Sequence, residues 1–124
     1  MRVTFQADDS RFVAEEDTLI CAFRGRDASG SEHYLMLQRA AEGAPDKEGV
    51  YIEFDDQSRG GYDLVVACHL HTRQLLLDLS ESAIRLVGAE GFDIVALHEP
   101  WSVQVRNGLH QIFRGMPDVI LPTH

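Results

Sequence analysis

Apolar side chains recur at every second position through much of this chain, and a two-residue period predicts β-strands. Thr18–Arg24 places Leu19, Cys21 and Phe23 on one face. Asp27-Ala28-Ser29-Gly30-Ser31 supplies turn residues, and His33–Arg39 follows as the expected hairpin partner. Val3–Gln6 reads as a first short strand. Ala40–Gly49 holds Gly43, Pro45, Asp46 and Gly49 and reads as an exposed loop. In Val50–Phe54, Val50, Ile52 and Phe54 point one way, while Tyr51, Glu53 and Asp55 point the other. The loop Asp56-Gln57-Ser58-Arg59-Gly60-Gly61 then reverses the chain.

Tyr62–Leu70 and Gln74–Leu79 form the best-specified hairpin. Pairing Leu70 with Leu75, Cys68 with Leu77 and Val66 with Leu79 puts all six on one side, and a shift of one residue would move every one to the wrong face. Thr72-Arg73 is poor for a primed two-residue turn, so a four-residue loop at His71–Gln74 is preferred. Ser80 is the expected cap of a short helix with Glu81 in its first turn, Ala83, Ile84 and Val87 on its buried face, and Gly88 as its stop. Phe92–Leu97 reads as a last strand. Pro100 suits the first position of a helix running to about Arg114, with Trp101, Val105, Leu109 and Ile112 on one stripe and Gly115 beyond it. A hairpin competes there, because Trp101, Val103 and Val105 also alternate and Asn107-Gly108 is a strong turn signal. The apolar stripe favours the helix. The expected architecture is α+β: a mainly antiparallel sheet of about six strands, with a short helix and a C-terminal helix packed on one face.

The length of 124 residues fits a single domain over 1–124, and the 44% hydrophobic and 25% charged content is that of a globular protein able to bury its own core. No apolar run approaches the ~18 residues of a membrane span. The opening Met1–Asp9 meets acidic residues too soon for a secretory signal, so the cytoplasm is the expected compartment. Cys21 and Cys68 lie far apart inside apolar runs, which predicts buried free thiols. The net charge of −9 changes the functional picture more. It disfavours nucleic acid and anionic lipid as partners and would speed encounter with a basic one. Residues 1–60 carry 13 acids against 7 bases, and residues 61–124 carry 7 against 4, so the excess lies more in the first half.

Few patterns suggest catalysis. His69 and His71 form an H-x-H on a strand, both rings on one face, with Asp78 diagonal to His69 across the hairpin. That set could hold a metal, although no fourth ligand suggests itself. Cys68 and His69 are adjacent on a strand, so the imidazole cannot activate its neighbour's thiol. There is no G-x-S-x-G, phosphate loop, dinucleotide fingerprint or H-E-x-x-H, and nothing calls for a cofactor. Tyr51, Glu53 and Asp55 on one strand face, continued by Asp56 and Gln57 in the loop, offer an aromatic beside carboxylates where Arg and Lys side chains can dock. The same residues would also serve as a solvated, solubilising surface.

Three stretches, Tyr34-Leu35-Met36-Leu37-Gln38-Arg39, Tyr51-Ile52-Glu53-Phe54-Asp55-Asp56-Gln57 and Leu109-His110-Gln111-Ile112-Phe113-Arg114-Gly115, resemble the immunity protein 10 family, as does Glu16-Asp17 upstream. The likeness spans roughly residues 15–115. Members of this family are encoded beside bacterial polymorphic toxins and are thought to protect the producer by binding the cognate toxin domain. The resemblance implies a non-enzymatic inhibitor and favours a helix at the end of the chain. It carries no interface residues, so placing the toxin on Tyr51, Glu53, Asp55, Asp56 and Gln57 follows from charge alone. A basic, nuclease-like toxin domain would suit that patch. The rival expectations are a structural subunit of a bacterial assembly and a small metal-dependent enzyme using His69, His71 and Asp78.

Overall fold

A computed structural model of the protein describes residues 1–41, 49–116 and 119–121, the last two of these by their backbone. Its elements in chain order are β1 (Arg2–Glu15), β2 (Thr18–Arg26), β3 (Glu32–Ala40), β4 (Tyr51–Phe54), β5 (Gly60–Tyr62), β6 (Val65–Leu70), β7 (Gln74–Leu79), α1 (Ala83–Leu86), β8 (Gly91–Ala96), α2 (Val103–Ile112) and β9 (Ile120–Leu121). All the strands join one sheet in the order β5-β4-β3-β2-β1-β8-β7-β6-β9. The fold is α+β as expected, but the sheet is mixed: β1 runs parallel to β8, and β6 parallel to β9. Among the described residues it also has nine strands where about six were expected.

The sheet cannot be flat. β5 lies at one edge and β6 beside the other, seven strand spacings apart or roughly 34 Å if laid out flat. Only Asp63 and Leu64 connect them, and three Cα steps reach no more than about 11 Å. The sheet therefore coils until its ends meet. The ring centroids of Phe54 on β4 and Phe92 on β8 lie 4.8 Å apart across the interior, although four spacings separate their strands. Leu64 is buried in the seam, and the Ser80 N–H bonds its carbonyl at 2.7 Å. Arg59 spans the same seam, donating from Nε to the Val87 carbonyl at 3.0 Å.

Alternation decides which side chains enter the coil. Leu19, Cys21 and Phe23 face inward as expected, as do Leu35, Leu37, Ile52, Cys68, Leu75, Leu77 and Ile94. Both cysteines are free and buried, and burial pushes their thiols up to about 12, which keeps them unreactive. The pairings Leu70–Leu75 and Cys68–Leu77 hold, but an irregularity between Val65 and Ala67 pairs Val65 with Leu79 and leaves Val66 exposed. One extra residue in a strand reverses the facing of what precedes it. The expected single strand Tyr62–Leu70 is likewise two, because Asp63 adopts φ 59° and turns the chain from β5 into β6.

The late elements differ in their bounds. α1 has only four residues, has Ser82 rather than Ser80 at its N-cap position without a side-chain cap, and buries Ala83 and Val87 but exposes Ile84. β8 ends at Ala96, leaving Leu97 exposed. The helix prevails over the hairpin at Asn107-Gly108, beginning at Ser102, whose hydroxyl accepts from the Val105 N–H at 3.1 Å. Trp101, Val105, Leu109 and Ile112 are all buried, with Trp101 just ahead of the helix. Within this helix position 108 is glycine because the Phe12 ring occupies the space where a Cβ would stand, 2.2 Å away. In this way α2 covers the inner face of the long β1–β2 hairpin. Arg39 donates to the Ile112 and Arg114 carbonyls at 2.8 Å and ties the helix end to β3. Of the expected loop Ala40–Gly49, residues 42–48, with Gly43, Pro45 and Asp46, lie outside the described residues.

Candidate functional site

The outer face of β2–β5 is set by register. Ala22, Met36 and Glu53 lie in one row across β2, β3 and β4, and Ile20, Gln38, Tyr51 and Tyr62 in the next. Arg24 and Tyr34 pair in the row nearer the β4–β5 loop. Most of these side chains are half-buried, and the set is rich in the tyrosine, methionine and arginine that mark protein interfaces.

Glu53 departs from the expected exposed carboxylate. It is 8% exposed, the one buried charged residue type among the described residues. The Tyr34 hydroxyl donates to its Oε2 at 2.5 Å and the Tyr51 hydroxyl to its Oε1 at 2.7 Å. Burial first, and the Glu53 contact second, raise the pKa of both phenols, Tyr51 to about 12, so they stay protonated as donors. Among the described residues no lysine, arginine or histidine pairs with Glu53. A buried carboxylate is ordinarily matched by a cation. This one is held by two neutral hydroxyls, with the Tyr51 and Tyr62 rings 5.2 Å apart beside it.

The remaining expected residues lie in the β4–β5 loop and are held in different ways. Asp55 adopts φ 65°, which turns its carboxylate back onto β3: Oδ1 accepts from the Tyr34 N–H at 2.9 Å and Oδ2 lies 2.7 Å from His33 Nδ1. Asp56 is exposed and accepts from the Ser58 N–H and hydroxyl, both at 2.8 Å, and these bonds lower its pKa. Gln57 is exposed. The structure therefore brings Tyr51 and Glu53 together, directs Asp55 inward, and leaves Asp56 and Gln57 at the loop tip.

His33 and Asp27 belong to the same assembly. His33 Nε2 lies 2.7 Å from Asp27 Oδ2, so the imidazole joins the β2–β3 loop to the β4–β5 loop while stacked on Phe54. Burial lowers the His33 pKa, but hydrogen bonds to Asp27 and then Asp55 outweigh it, and the net shift is upward. Asp27 is held well below the usual carboxylate range by hydrogen bonds from Ser29 and then His33. A raised histidine pKa stabilises the fold fully below its unfolded value of about 6.5, and the contribution is lost as pH rises through the folded pKa. The Asp27 contribution is present above its unfolded value and is lost only in strong acid. Denaturant unfolding of the native chain should show stability falling as pH rises above about 6.5 and through the raised folded pKa, and His33→Gln should remove most of that slope. A slope that survives His33→Gln would place its origin elsewhere. The available signal in the sequence was that His33 falls in phase with Leu35 and Leu37, on the buried side of β3.

The histidine face of the β6–β7 hairpin is arranged differently. His69 Nε2 lies 3.6 Å from Asp78 Oδ2, but Arg2 Nη1 donates to Asp78 Oδ1 at 2.6 Å and Arg2 Nη2 to Asp93 Oδ1 at 2.7 Å. Asp78 is thus part of an arginine-centred surface network, and the described residues contain no group of three potential ligands placed to share a metal. No described helix is long and apolar enough to cross a membrane.

No curated protein matches the sequence. A family model does, over residues 3–98, a range that contains the Tyr34–Arg39 and Tyr51–Gln57 blocks, the two-tyrosine carboxylate and the Asp27–His33–Asp55 clamp. The match begins earlier than the expected residue 15 and ends before Leu109–Gly115, which falls outside it. With most of its length matched by the model described as immunity protein 10, the chain belongs to that family.

Proposed function

We propose that this protein binds and neutralises a cognate bacterial toxin domain without catalysis, covering it with the outer face of β3–β5 and the adjoining loop. Family membership carries the reading of an immunity protein. The location rests on Glu53, a buried carboxylate that no cation among the described residues pairs with, framed by Tyr34 and Tyr51 on an interface-like face. Tyr51, Glu53, Asp56 and Gln57 meet basic side chains of the toxin, while Asp55 fixes the loop through His33 and Tyr34. A domain that binds nucleic acid presents such side chains where its substrate enters, so occupying them blocks access without any chemistry.

Titration against the toxin domain encoded beside this protein, at low and high salt, tests the proposal. Tight binding that weakens steeply with salt is the expected result. Tight but salt-insensitive binding would move the interface to an apolar surface. Unchanged affinity after Glu53→Ala combined with Asp55→Ala would rule out the patch, and no binding at all would remove the inhibitor reading.

A further inference from the structure

We propose that this protein forms a two-fold symmetric dimer by pairing the outer half of β1 with the same segment of a second copy, an inference independent of toxin binding. β1 is 14 residues long, but β8 pairs only with Arg2–Ala7. From Asp9 to Glu15 the strand is paired with β2 on one side alone. In an antiparallel pair, alternate residues direct both N–H and C=O away from the partner, so this outer edge carries unused backbone groups. The neighbouring chain last bonds β1 at Ala7, where Leu97 donates to its carbonyl at 2.9 Å, and no hydrogen bond of the described residues reaches the Arg11–Glu15 edge from that side.

Among the described residues the other edge strands are short. β5 has three residues, two of them glycine, and β9 has two. Short strands of this kind offer little to pair with. Ser10-Arg11-Phe12-Val13-Ala14-Glu15 contains no proline or lysine, its two charged residues are of opposite sign, and the β1 irregularity lies before it, between Ala7 and Asp9.

The segment is complementary to itself. Two identical strands related by a two-fold axis pair antiparallel with like faces together. Centring the axis on Val13 sets Arg11 opposite Glu15 of the second copy and Glu15 opposite its Arg11, on the solvent face. On the other face the large Phe12 meets the small Ala14. Centring on Phe12 instead would oppose Asp9 and Glu15, two acids, and centring on Ala14 would set Val13 against Glu15. Of these three registers only the Val13 one brings opposite charges together within the strand, drawing Arg11 from its contact with Asp9 of its own chain at 3.1 Å to Glu15 of the second copy. The chain leaves the strand directly afterwards, at Glu16 with φ 50°, so the ladder ends there.

Sedimentation of the full-length protein over a concentration series tests this. The expected result is a monomer–dimer equilibrium in which Arg11→Glu or Glu15→Arg alone weakens the dimer about tenfold, since either change sets like charges opposite each other twice. Arg11→Glu with Glu15→Arg should restore the association to within about twofold of the native chain. Both positions are exposed, and circular dichroism would verify that each variant is folded. A native chain that stays monomeric at its solubility limit would overturn the proposal. So would a dimer indifferent to the single reversals, or a double variant as weak as either single one.

Discussion

Gly25→Ala is expected to cost more than about 4 kcal/mol of folding stability, enough to leave little native protein at 37 °C. A Cβ built at Gly25 would stand 1.7 Å from the Gln6 carbonyl oxygen and 2.8 Å from the Ala7 Cα. These are main-chain atoms in a strand pinned on both sides, by β2 and by β8, so they cannot retreat as a side chain would. Gly25 is itself held between Ala7 on β1 and His33 on β3. The methyl group can be admitted only by parting β1 from β2 where the irregularity between Ala7 and Asp9 draws them together. Thermal and urea unfolding would measure the loss. A melting temperature within a few degrees of the native chain would mean that the two backbones do not approach in this way.

Gly25 also shows why the sequence conveyed only part of the fold. A glycine followed by polar residues reads as the end of a strand, and the expected strand accordingly stopped at Arg24, whereas β2 continues to Arg26. The reason for the glycine lies in a strand some twenty residues earlier and is invisible locally. The outer half of β1 was missed for a related reason. Asp8 and Asp9 sit in the irregularity and break the alternation, and Glu16-Asp17 does not have the composition of a primed turn, although Glu16 adopts φ 50°. Where alternation was unbroken, as in Leu19–Cys21–Phe23 and across Cys68–Leu77, facing and register were both readable. The parallel pairings of β1 with β8 and of β6 with β9 join segments far apart in sequence, and no local period encodes them.

At the candidate site the legible part was residue type and strand face. Tyr51 and Glu53 do share the outer face of β4, and Met36 and Gln38 lie beside them on β3. Burial of Glu53 was not legible, because it depends on Tyr34 arriving from the neighbouring strand to cover the carboxylate. Nor was the clamp at Asp55, which requires the left-handed turn at that residue and His33 beneath it.

Glu53→Gln should separate what this carboxylate does for the fold from what it does for a partner. Glutamine has nearly the same shape and can still engage both tyrosines, accepting from one hydroxyl and donating to the other. It removes a buried charge that no cation of the described residues offsets, so folding stability should stay the same or rise. Glu53→Ala removes the acceptor for both hydroxyls and should cost about 1–3 kcal/mol. Affinity for the toxin domain should follow a different order. Both substitutions leave the partner's basic side chain unmatched, so each should weaken binding by about 2–5 kcal/mol, felt mainly in dissociation. Asp56→Asn at the exposed loop tip should mainly slow association and reduce its salt dependence. Calorimetric unfolding together with stopped-flow binding would resolve the set. If Glu53→Gln kept full affinity, Glu53 would be a structural anchor for two tyrosines and the interface would lie elsewhere. A variant at least as stable as the native chain that no longer holds the toxin would identify Glu53 as a group kept for recognition at the expense of stability.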